Sequence, residues 1–208
     1  MMNPLIAKLR ERAADASLAT DEAADITSGA TVPVDDVSIA RAETLLGRRL
    51  PSLLRDAYSN VGDGGFGPGY GLLRLLPDPR SADVESVVGL YTALCSIDPE
   101  DAAWSWPVDL IPFCDWGCAI RTCVDSSTPD GTIITFDPNA RDLGDPMSTA
   151  FAATHPNLES WFTDWLAGVR IWDRMFEPDQ SRAATGLNPF TKEPHTIVPT
   201  KPRGGGLT

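Results

Sequence analysis

A chain of 208 residues, 42% of them hydrophobic, carries enough apolar material for one good core and a small appendage, so a single domain is expected. Its formal net charge of −12 repels phosphate backbones and anionic lipid, which excludes direct nucleic-acid and membrane-surface partners and suits a basic protein, although such a surface also serves solubility alone. Met1 to Ala24 is charged throughout without an apolar run, and no stretch nears the ~20 apolar residues of a membrane span, so a cytoplasmic location is expected.

Leu5, Leu9, Ala13 and Ala16 mark one face of an N-terminal helix, and Asp15 to Gly29 reads as an acidic, flexible connection, so residues 1–33 form an appendage. A second helix starts with a cap among Asp35 to Ser38 and ends at Gly47, with Ile39, Ala42 and Leu46 turned inward. Leu50, Leu53, Leu54, Ala57, Tyr58 and Val61 recur at helical spacing, placing a third helix from Pro51 to about Asn60.

That helix runs into Gly62-Asp63-Gly64-Gly65-Phe66-Gly67-Pro68-Gly69-Tyr70-Gly71. Gly62-x-Gly64-x-x-Gly67 satisfies the dinucleotide fingerprint, but that chemistry needs a strand before the loop and a helix opening after it. Here the order is reversed. The loop is therefore read as a tight structural turn, and no cofactor is expected.

Leu72 to Leu75 reads as a short strand, and Val84, Val87, Val88, Tyr91 and Leu94 as the buried stripe of a fourth helix. Ala119 to Asp125 and Thr132 to Asp137 are β-rich runs around an Asp130-Gly131 turn signal, which predicts a hairpin of unspecified register. Trp161, Phe162, Trp165, Leu166 and Val169 then give the aromatic face of a helix capped by Asn157, closing one side of the sheet. Residues 34–176 make the domain. Beyond Phe176, Pro178, Pro189, Pro194, Pro199, Pro202 and Gly204-Gly205-Gly206 mark residues 177–208 as an extended or disordered tail.

Two blocks carry a family likeness. Leu50-Pro51-Ser52-Leu53-Leu54-Arg55 with Gly64 to Leu73 forms the first; Leu110-Ile111-Pro112-Phe113-Cys114-Asp115-Trp116-Gly117-Cys118 with Val124-Asp125, Asp130-Gly131 and Phe136-Asp137-Pro138-Asn139 forms the second. In that order and at those distances they resemble the SUKH superfamily, the Smi/Knr-type domain, over about residues 34 to 170. The resemblance implies an α+β domain with a central, mostly antiparallel sheet flanked by N-terminal and C-terminal helices. It also implies a non-enzymatic immunity protein that neutralises a toxin by binding it, or alternatively a regulatory scaffold of the cell-wall-assembly type.

Asp115, Asp125, Asp130 and Asp137 are the candidate carboxylates for hydrolysis or cation binding. Turn chemistry explains them better: Asp125 and Asp130 flank the hairpin connection, Asp137 precedes Pro138-Asn139, and the closing glutamate of a calcium loop is missing. Cys114, Cys118 and Cys123 lack paired metal-ligand spacing, and Cys118 and Cys123 would face opposite sides of one strand. With Cys95 they read as reduced thiols packed as small hydrophobes. His155 and His195, the two histidines, belong to no ligand or nucleophile pattern, so no catalytic or metal residue is assigned.

A partner-binding surface remains. Asp63, Phe66 and Tyr70 on the glycine-rich loop, Asp115 and Trp116 in the second block, and Trp104 and Trp106 around Pro107 are its candidates. The same residues have a structural reading. Phe66, Tyr70 and Trp116 would then lock the loop against the sheet, and Asp63 and Asp115 would satisfy loop amides.

Overall fold

The computed structural model describes residues 3–15, 32–79, 85–96, 98, 100–128, 130–176, 184–187 and 194–197. Helix α1 is Pro4–Ala14, where Asn3 Oδ1 accepts the Leu5 N–H at 2.9 Å and Ile6, Leu9 and Ala13 are buried. Ile6 rather than Leu5 leads the inner face, and Ala16 lies outside the described residues. Helix α2, Asp36–Leu46, has the expected ends. Asp35 Oδ1 accepts the Ser38 N–H at 2.6 Å, Gly47 closes the last turn at φ 70°, and Ile39, Ala42 and Leu46 point inward.

Helix α3, Ser52–Asn60, begins after Pro51 and buries Leu54, Ala57 and Tyr58. The Tyr58 hydroxyl donates to the Leu73 carbonyl at 2.7 Å, which ties the helix to the far side of the glycine loop. Strand β1 is only Gly71–Leu72, shorter than Leu72 to Leu75. Leu73 N–H still reaches the Phe113 carbonyl, but the ladder stops there because Arg74 turns away to bridge to Ser86. Helix α4, Val87–Leu94, is capped by Ser86 Oγ on the Gly89 N–H and buries Val87, Val88 and Tyr91; Val84 lies outside the described residues.

Strands β2 (Leu110–Asp115), β3 (Arg121–Asp125), β4 (Ile133–Phe136) and β5 (Phe151–His155) complete an antiparallel sheet in the order β1-β2-β3-β4-β5. The β3–β4 register runs from Arg121 opposite Phe136 to Val124 opposite Ile133. Period two sends Thr135 and Phe136 to opposite faces. On one face Phe136 meets Trp106 edge-on at 5.1 Å and Trp104 at 6.3 Å. On the other, the Thr135 hydroxyl lies 3.3 Å from the sulfur of Met175 in α6, Ile171–Phe176.

Helix α5, Leu158–Leu166, is capped by Asn157 and buries Leu158, Trp161, Phe162 and Trp165. Trp161 packs edge-to-face on Phe113 of β2 at 5.1 Å, so the aromatic helix does close on the sheet. The architecture is α+β, with the sheet as its centre and the helices around it. Within residues 177–208, β6 (Ala184–Leu187) pairs antiparallel with β7 (Pro194–Ile197) as a separate two-stranded ladder. No helix of the described residues is long and apolar enough to cross a membrane.

Candidate functional site

The glycine loop and the β2–β3 turn meet at one end of the sheet. Gly64, Gly65, Gly67, Gly69 and Gly71 all have positive φ. At Gly69 (φ +62°) a Cβ would stand 2.5 Å from a Trp116 ring carbon and 2.8 Å from the Asp115 carbonyl, so only glycine lets the two segments touch. Several of the amides in and beside the loop are spent on the chain: Gly65 N–H donates to the Leu72 carbonyl, Leu72 to Phe66, Gly71 to Pro68 and Tyr70 to Asp115. The loop also follows a helix and leads into a two-residue strand.

Asp63 sits where α3 leaves for the loop. Its Oδ1 accepts the Leu75 N–H at 2.6 Å, and its Oδ2 is 3.9 Å from Arg74, a long contact in solvent. Phe66 is 3% exposed and belongs to the core. Tyr70 is 41% exposed, and its ring covers the Gly117 backbone. Asp115 accepts the Gly117 N–H at 2.8 Å and pairs with Arg121. Trp116 is buried, donates its indole N–H to Thr122 Oγ1 at 2.7 Å and packs on Trp172 with centroids 5.7 Å apart.

Trp104 and Trp106 take a different place, over Phe136 and Phe151 on the sheet face. Their indole N–H groups donate to the carbonyls of Leu94 and Leu110 at 2.9 and 3.0 Å. The loops covering that face are joined by Arg141 and Asp101, 2.5 Å apart, with side chains 7% and 4% exposed. The structure therefore brings Tyr70, Asp115 and Trp116 together, and places Trp104 and Trp106 in a separate aromatic cluster.

Sequence reasoning missed the turn itself. Gly117 (φ 78°), Cys118 (φ 48°) and Ala119 (φ 62°) are consecutively left-handed, and Ile120 N–H closes the turn on the Gly117 carbonyl at 2.8 Å. Left-handed geometry costs a non-glycine residue about 1–2 kcal/mol, and neither Cys nor Ala signals it. Cys118 thus lies in the turn rather than in β3, and it is exposed, as is Cys95; only Cys114 and Cys123 are packed as small hydrophobes. Burial pushes the Cys123 thiol up, and partial desolvation raises the Cys95 thiol although that residue is exposed.

The other aspartates are turn residues here. Asp125 Oδ1 accepts the Ser127 N–H at 2.9 Å and its hydroxyl at 2.6 Å, while Asp125 Oδ2 is buried without a hydrogen-bond partner. Asp137 Oδ1 accepts the Asn139 N–H at 2.9 Å, and the Asp130 carbonyl receives the Leu158 N–H. His155 is buried with Nε2 3.4 Å from Asp164. Among the described residues no group of three or more His, Cys, Asp or Glu is placed to hold a metal ion.

Comparison with curated proteins gives no significant match. The family model for the SMI1 / KNR4 family (SUKH-1) matches residues 33–166, a span that holds both blocks, the glycine loop and the whole five-stranded sheet, and the chain therefore belongs to that family.

Proposed function

We propose that the protein is a cytoplasmic, non-enzymatic immunity protein that neutralises a toxin by direct, stoichiometric binding. Family membership supports a protein-binding role. The observation that carries the interface is Tyr70, the exposed aromatic residue pinned over the left-handed Gly117–Ala119 turn. A backbone held in strained geometry needs a surrounding that over-determines it, and such positions cluster at binding sites. An amphipathic tyrosine on a rigid support loses little entropy when a partner covers it.

The charge of −12 suits a basic toxin domain, steering encounter and opposing release. Trp116 is buried against Gly69 next to this surface, and Phe66 and Asp63 belong to the same glycine-rich loop as Tyr70. Co-expression with a toxin encoded next to this chain tests the proposal: protection and co-purification are expected, with Tyr70→Ala weakening association at least tenfold while the melting temperature holds. Neither association nor protection would overturn it. Capture of cell-wall assembly proteins instead would favour the scaffold role.

A further inference from the structure

Strand β5 ends the order β1-β2-β3-β4-β5, so its outer side faces no other strand of the central sheet. Such an edge is a template for a further strand. The opposite edge is blunted by its brevity, since β1 is only Gly71–Leu72, whereas β5 runs as Phe-Ala-Ala-Thr-His with no Asp, Glu, Lys, Arg or Pro to deter pairing. Its one irregularity is a register shift opposite Ile133 and Ile134, at the His155 end. Yet Ala153 and Thr154 are 0% exposed, so the strand is covered. We propose that the β6–β7 hairpin is an edge guard: β6 lies against the outer side of β5 and keeps a second copy of this chain from pairing there. The inference does not depend on the partner at Tyr70.

The elements around β5 leave its outer side to β6, which approaches it closely. Helices α5 and α6 also come near, but they belong to a face of the sheet, where Trp161 packs on Phe113 and Met175 lies beside Thr135. The short turn Met147–Ala150 leads straight into the strand. The hairpin's composition fits the place: Ala184-Thr185-Gly186-Leu187 and Pro194-His195-Thr196-Ile197 carry no Asp, Glu, Lys or Arg, so β6 meets an uncharged edge without burying a charge. One side of β6 is spent on β7, from Ala184 opposite Ile197 to Leu187 opposite Pro194, and β6 does not join the ladder of the central sheet. The contact is therefore packing rather than strand pairing, and removing it leaves β1 to β5 in register. An uncovered β5 would meet the same strand of another copy across a two-fold axis, an isologous contact that continues one sheet through both. The net charge of −12 on each copy opposes that contact, and salt relieves the opposition.

The test keeps the full chain and breaks the hairpin with Thr185→Asp and Thr196→Asp, which place like charges directly opposite each other in its ladder. The added negative charge itself opposes self-association, so a gain reports the edge. Hydrogen exchange in dilute solution, read by peptide mass spectrometry, should run about tenfold faster within β5 than in the parent chain, with β2 and β3 unchanged. Sedimentation velocity at rising concentration should show self-association about tenfold tighter than the parent's and strengthened by salt, with exchange in β5 slowed again in the associated form. The chain ending after Phe176 should reproduce both changes, which separates loss of the hairpin from the new charges. Unchanged exchange in β5 would mean that β6 does not cover it. Association no tighter than the parent's would mean that the edge is not a pairing surface, and association that leaves β5 exchanging fast would put the contact elsewhere. Each of these results, or a change confined to the aspartate variant, would overturn the inference.

Discussion

Ala119 stands at φ 62° although its side chain gains nothing from that geometry. Ala119→Gly should therefore stabilise the protein by about 0.5–1 kcal/mol, the left-handed strain relieved less the added entropy of the unfolded chain, readable as a rise in denaturant midpoint. Gly69→Ala should do the opposite. Its Cβ would meet Trp116 at 2.5 Å, so left-handed strain and overpacking together cost about 2–5 kcal/mol. The four thiols separate by environment rather than by sequence. Exposed Cys118 should be alkylated first, Cys95, exposed but with its thiol raised by partial desolvation, more slowly, and Cys114 and Cys123 only on unfolding, as peptide mass spectrometry of the labelled chain would record. Early labelling of Cys123 would contradict the packing of β3 between its neighbours.

At the scale of elements, the Arg141–Asp101 pair joins the loop after α4 to the loop after β4 and closes the aromatic face of Trp104, Trp106 and Phe136. The hydrogen bond from Arg141 holds the Asp101 carboxyl below its ordinary value of 3.8, and the Ser38 amide does the same for Asp35. A folded pKa below the unfolded one gives stability that is complete above about pH 4 and is lost as pH falls through the folded value. Asp101→Asn should accordingly flatten the acid limb of the stability profile, measured as melting temperature against pH, and leave its slope near neutrality unchanged. Elements with strong local signals were legible in the sequence: Asp35 and Gly47 define α2 at both ends, and the Trp161–Trp165 spacing defines α5. Strand β5 and helix α6 were not. Phe-Ala-Ala-Thr-His has little alternation, and six residues from Ile171 make too short a helix for a periodic pattern, so both depend on packing against β4 and Met175's contact with Thr135. The candidate site was legible only as two blocks. The two blocks offered Tyr70, Asp115 and Trp116 as candidates, but the turn that brings them together rests on Cys118 and Ala119 in a geometry their side chains disfavour.

For the whole molecule, the internal use of the loop amides predicts indifference to nucleotides. Dinucleotides and nucleoside triphosphates in the millimolar range should leave the melting curve unmoved, whereas a ligand at about 100 times its dissociation constant would add about 2.7 kcal/mol. A saturable shift would mean that the loop opens its bonds from Gly65, Tyr70, Gly71 and Leu72 to accommodate phosphate. Stability itself should be divided unequally along the chain. Trp161 is fully buried against Phe113 and Phe162, so Trp161→Ala removes a large core side chain and should cost about 3–5 kcal/mol, even though its indole N–H has no hydrogen-bond partner to lose. Ending the chain after Phe176 removes the β6–β7 ladder, whose strands pair with each other in a sheet of their own and meet the central sheet where β6 approaches β5, leaving all five strands of the central sheet in register. Circular dichroism melts of the two variants should show a large fall for the tryptophan change and a small one for the truncation. Equal falls would make the C-terminal ladder an integral part of the core that begins at Ile6 and would move the domain's end well past residue 176.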